Sequence, residues 1–285
     1  MTIFFQDLLA HAHVLHAVVG AFLASISCGI MGSYLTVRRM TATAGAISHF
    51  LLGGLAIAGY LKTVAGWQVG PEAGALVSAV VAALLIWAIT IWAKQREDTV
   101  LSVIWSVGMA VGGFFIFATP GNTGSLQFYL FGNISLISAQ GLLPMGFLAL
   151  FLVLFFTLFH RTILAIAFDA DYAKLRGVRV SLFSFFLLLF ASLTVVVVVQ
   201  LVGIVMAIAL LSLPQAVAST FTCRFWQLMV ASVLLNILFT VGGFAVSYEP
   251  GFPPGATIII FAGVFYVISL VVKAWRKRRK KQISA

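Results

Sequence analysis

The chain has 285 residues, of which 62% are hydrophobic and 8% charged, with a formal net charge of +10. Soluble domains carry about 25% charged residues, so this composition excludes a water-clothed globular enzyme and predicts a single transmembrane domain over 1–285. The positive charge does not point to nucleic acid, because the bases sit in short clusters between apolar stretches, the positive-inside pattern of membrane proteins.

A bilayer core of about 30 Å takes roughly 20 apolar residues in helical form. In chain order, the apolar runs predict spans over 14–37, 41–61, 73–93, 99–118, 141–160, 181–200, 201–220, 225–246 and 256–272, an all-α polytopic bundle. No charged loop marks the junction near Gln200, so one bent helix there would lower the count from nine to eight.

Residues 1–13 read as an outer N-terminal segment without a basic n-region or a small-residue cleavage pattern, so no removable signal peptide is expected. His11, His13 and His16 form an H-x-H-x-x-H cluster there. On a helix His13 and His16 share a face and His11 points elsewhere; in an extended segment His11 and His13 point the same way. No regular conformation gathers all three. The cluster therefore reads either as interfacial polar residues or as a weak collecting site for an incoming metal.

Arg38 and Arg39 close the first span, which puts that end in the cytoplasm and the N-terminus outside. Alternation then places 94–98, 160–179, 222–224 and the basic tail 273–285 inside, and all four carry Lys or Arg. The opposite loops, 62–72, 119–127 and 247–255, hold one base among them, Lys62. The tail bases Lys273 and Arg276 to Lys281 are placed to hold anionic lipid headgroups. Segment 128–140 is too short and polar to span and is expected as a short helix at the outer interface. Glycines at Gly53/Gly54, Gly108/Gly112 and Gly242/Gly243 suit close helix packing in lipid. Cys28 and Cys223 are too few for a zinc or disulfide framework.

Two features could carry chemistry. His49 lies about 12 Å inside the second span at 1.5 Å per residue. An ionisable group at that depth is costly and marks a functional site by default, and a neutral imidazole is a common transition-metal ligand. The alternative is a histidine hydrogen-bonded for packing. The stretch 169–178 is the most polar of the chain. The stretch also holds Asp171 and Arg176; Asp169 and Lys174 bracket a short helix with acid at its start and base at its end, as the helix dipole favours, with Gly177 as a C-terminal cap. It reads as an ordinary cytoplasmic loop or as a docking helix for a soluble partner. No phosphate-binding G-x-x-x-x-G-K-[ST] loop, H-E-x-x-H, G-x-S-x-G or C-x-x-C occurs. The acids fall nearly all in loops, which argues against a proton-coupled secondary transporter, and no motif supports a membrane enzyme.

Four blocks in register resemble one known family. The run Gly32-Ser33-Tyr34-Leu35-Thr36-Val37-Arg38-Arg39-Met40 leads to His49 in Ala46-Ile47-Ser48-His49-Phe50-Leu51-Leu52-Gly53-Gly54. Then come Phe128-Tyr129-Leu130-Phe131-Gly132-Asn133, the stretch 169–178, and Val202-Gly203-Ile204 through Leu213-Pro214-Gln215-Ala216 with Ala218. Together they resemble the zinc/manganese/iron-type permeases of ATP-binding-cassette importers. The resemblance implies a multi-pass subunit of the bacterial cytoplasmic (inner) membrane that moves a divalent metal by alternating access. It works with a second permease copy, two cytoplasmic ATPases and an external metal-binding protein, and it binds no cofactor of its own. The stretch 169–178 matches the part of such permeases that touches the ATPase. Permeases of the vitamin B12/siderophore class are the neighbouring alternative, and an ion-coupled secondary transporter the more distant one. One position departs from the family: an acid commonly stands four residues before the histidine, and here that position is Gly45, preceded by Ala44. Thr43, Ser48 and Met109 are candidate substitutes, and a site poorer in oxygen ligands leans towards zinc or iron rather than manganese.

Overall fold

A computed structural model describes residues 11–92, 95–120 and 139–283. Within them the chain forms twelve helices and no strand. They are α1 (Ala12–Val37), α2 (Ala42–Thr63), α3 (Pro71–Trp92), α4 (Glu97–Ala118), α5 (Ala139–Leu158), α6 (His160–Phe168), α7 (Ala170–Leu175), α8 (Val180–Val202), α9 (Ile204–Leu210), α10 (Leu213–Phe221), α11 (Phe225–Tyr248) and α12 (Pro254–Ile283). Nine segments among the described residues are long and apolar enough to cross a bilayer, and the seventh, Ile204–Phe221, combines α9 and α10. The expected segment 128–140 lies outside the described residues, apart from its last two, which open α5.

The predicted junction near Gln200 falls three residues later. Gly203 adopts φ 82°, ψ 169°, a conformation that only glycine tolerates readily, so α8 stops there and α9 begins at once. A second break follows at Leu211–Ser212, and Pro214 at the start of α10 fits because an N-terminal helical position needs no N–H donor. The seventh span is thus two half-helices joined by a turn. Freed backbone groups are costly in hydrocarbon and must find internal partners. Gln215 supplies one: its amide nitrogen donates to Leu210 O at 3.1 Å, across the break, and to Cys28 O in α1 at 2.8 Å.

Small residues set the packing elsewhere. A Cβ on Gly53 would sit 3.2 Å from Gly108 O, and one on Gly108 would collide with the backbone of Phe50, so α2 and α4 touch backbone to backbone. Gly54 and Gly74 bring α2 and α3 together in the same way, and Gly243 admits Ile258 between α11 and α12. Several buried hydroxyls close on their own helices, as Ser25 to Ala21 O and Ser33 to Gly29 O, both at 2.6 Å. The outer faces of α4 and α5 are apolar and bare, with Phe117 94% exposed and Phe147 76%. Such surfaces suit hydrocarbon rather than water, and the chain is a multi-pass membrane protein.

The turn from α1 to α2 is tight. Arg39 takes φ 59°, and its N–H and that of Met40 return to Thr36 O and Leu35 O at 3.1 and 2.8 Å. Beside it, the Arg38 guanidinium donates to Ile166 O at 3.1 Å, tying this turn to α6.

Candidate functional site

His49 sits two turns into α2, where α4 crosses it. Its ring stacks on the indole of Trp105, with centroids 4.5 Å apart and planes inclined by 19°. Gly45, one turn earlier on the same face, lies under the same indole: a Cβ there would be 3.0 Å from Trp105 Cζ3. The position where the resembling family carries an acid is therefore roofed by an aromatic ring. His49 Nδ1 is buried and has no hydrogen-bond partner among the described residues. Trp105 keeps 39% of its surface exposed, so the pair lies at an open flank of the chain. Thr43 and Ser48, the possible polar substitutes, are fully buried, and neither hydroxyl has a hydrogen-bond partner among the described residues. Met109 stands one turn beyond Trp105 on α4 and is exposed.

The three N-terminal histidines do not assemble. His11 caps α1 in extended conformation, and its ring lies 5.5 Å from that of His13. No three His, Cys, Asp or Glu side chains among the described residues come together as a metal-binding group. The reason is the one visible in the spacing: His11 is outside the helix, and His13 and His16 are a turn apart on it.

The stretch 169–178 folds into a small capped unit. Asp169 Oδ1 accepts the Tyr172 N–H at 2.9 Å and starts α7. Gly177, at φ 80°, ends it: its N–H donates to Lys174 O at 3.0 Å and that of Val178 to Ala173 O at 3.1 Å, a paired closure that requires left-handed backbone. Asp171 and Lys174 occupy its first and last turns, and Arg176 lies over the Tyr172 ring at 5.7 Å. Sequence reading missed the apolar side of this unit. Leu175 is 87% exposed and Phe168 69%, on the face of the molecule that carries most of the bases. Trp105 was also missed, because its pairing with His49 joins two spans and leaves no local pattern. Gln215 was legible only as part of a motif.

A profile of the ABC 3 transport family matches residues 10–273. The chain belongs to that family. A relative from Chlamydia pneumoniae, named as a probable metal transport system membrane protein, is 36% identical over 250 residues, covering 88% of this chain and 85% of that one. The manganese transport system membrane protein MntC of Halalkalibacterium halodurans is 29% identical, covering 100% and 98%. Among solved structures, PsaBC from Streptococcus pneumoniae superposes with a TM-score of 0.81 at 25% identity, over 94% of both chains.

Proposed function

We propose that this chain is the permease subunit of an importer for a divalent transition-metal ion, that ATP is hydrolysed by separate cytoplasmic subunits, and that His49 meets the ion in passage. The carrying observation is the family match over 10–273 together with a partly buried imidazole whose Nδ1 has no protein partner among the described residues. The open flank at Trp105 supports a pathway closed by a second permease copy, since one chain leaves the pair uncovered. Stacking without a carboxylate supports brief coordination and ready release, which suits zinc or iron better than manganese. Asp169, Asp171, Lys174, Arg176 and Gly177 form the docking unit for the ATPase, and an external metal-binding protein delivers the ion. His11, His13 and His16 then have the lesser part of a polar entrance.

The test is uptake of zinc, iron or manganese into vesicles holding the permease with its ATPase. Accumulation should require both subunits and ATP. Uptake that persists without the ATPase would return the reading to an ion-coupled secondary transporter.

Orientation has its own check. Cys223 is exposed between α10 and α11, on the basic side, whereas Cys28 is buried. A membrane-impermeant maleimide should leave intact cells unlabelled and modify Cys223 only after permeabilisation. Labelling of intact cells would invert the topology.

A further inference from the structure

A cavity of about 540 Å³ opens on the basic face, between the ends of α1 and α3, the start of α4, the unit α7 and the start of α8. It lies outside the His49 region. Arg38, Lys174, Arg179, Glu97 and Asp171 all line it, and among the described residues none of the five is within 4.0 Å of an opposite charge. Arg38 Nε and Thr90 Oγ1, on two of the lining residues, are buried without a hydrogen-bond partner among the described residues. The other wall is apolar: Ile86, Met40 and Leu188 line it. Leu188 stands eight residues into α8 from Val180, or about 12 Å at 1.5 Å per residue, a depth that reaches below the headgroups towards hydrocarbon. Trp87, whose indole N–H donates to Ser181 O at 3.0 Å, is a residue typical of the membrane interface.

Three cations and two carboxylates that leave one another unpaired fit a ligand carrying both signs. A lone anion would meet Glu97 and Asp171, and a lone cation would meet the three bases. The apolar depth calls for a ligand with a tail. We propose that this cavity binds the headgroup of a zwitterionic aminophospholipid, its phosphate towards Arg38, Lys174 and Arg179 and its primary ammonium towards Glu97 and Asp171. The acyl chains leave over Ile86 and Leu188. The site needs only an interfacial position and holds for either orientation of the chain. Since α7 supplies Asp171 and Lys174, a bound lipid would fasten that unit to the bilayer surface.

The experiment uses the full chain in detergent micelles, titrated separately with dioleoyl phosphatidylethanolamine, phosphatidylcholine, phosphatidylglycerol and inorganic phosphate, with the melting temperature and retained lipid mass as readouts. Phosphatidylethanolamine should act at concentrations at least about tenfold lower than the other lipids, a difference of about 1.4 kcal/mol. Arg179→Gln and Glu97→Gln should each erase that preference. Ser184→Leu, which crowds the lining without changing a charge, should erase it as well and guards against a charge variant that fails to fold. Equal action by phosphatidylglycerol would reduce the site to a phosphate contact and overturn the proposal, and so would a shift with inorganic phosphate alone. A preference surviving in all three variants would place lipid elsewhere. Protection of Arg179→Cys from a maleimide by the ATPase but not by phosphatidylethanolamine would make the cavity a protein seat, again overturning it.

Discussion

Replacing His49 by Ala is expected to lower metal uptake by at least about tenfold, equivalent to 1.4 kcal/mol or more in the transport barrier, while the protein still inserts and still assembles with its ATPase. The effect should be large because no group of three or more His, Cys, Asp or Glu among the described residues could hold the ion in its place. His49→Gln separates ligand from packing: it keeps size and hydrogen bonding but has little affinity for a transition metal. Uptake retained in Gln and lost in Ala would make His49 structural. Gly45→Asp extends the test. Its Cβ would press on Trp105 at 3.0 Å, so the single variant must displace the indole. Gly45→Asp combined with Trp105→Ala gives the carboxylate room beside the imidazole, and an added oxygen ligand should shift preference towards manganese. Unchanged selectivity in a well-expressed double variant would remove position 45 from the pathway.

Gly177→Pro should uncouple the transporter. Proline fixes φ near −65° and lacks an N–H, whereas Gly177 needs φ 80° and donates to Lys174 O. Both the left-handed turn and its hydrogen bond are lost, at a cost of about 3 kcal/mol or more, as for other incompatible prolines. The damage falls on α7, outside every candidate span. Normal insertion with loss of ATPase co-purification, or of transport-coupled hydrolysis, is the expected result. Full uptake by this variant would count against docking at Asp169, Asp171, Lys174 and Arg176.

The helices were legible because a membrane span is announced by length and apolarity alone, and the two caps of α7 because Asp169 and Gly177 act within a few residues of themselves. The boundary between the sixth and seventh spans was readable as a junction but not at its true residue: Gly203 sits in an apolar run, and only its backbone angles mark the boundary. His49 stood out as an imidazole at depth. Its environment did not, because Trp105 comes from a helix 56 positions along, and nothing in either local sequence names the other. The missing acid at Gly45 was visible as an absence. That an indole roofs the space could come only from the packing of α2 on α4, which the glycines at Gly53 and Gly108 permit.

The bond from Arg38 to Ile166 O joins positions 128 apart, and it leaves little slack in the molecule. Ile166 stands one turn before Asp169, and Arg38 stands one tight turn before the helix that carries His49. Helical segments lie on both sides of the bond, and helices pass a small displacement along their length rather than stretching. A modest push on the α6–α7 corner is therefore delivered to the root of α2. A harder one is limited, because a hydrogen bond from a charged group yields at about 1.5–3 kcal/mol.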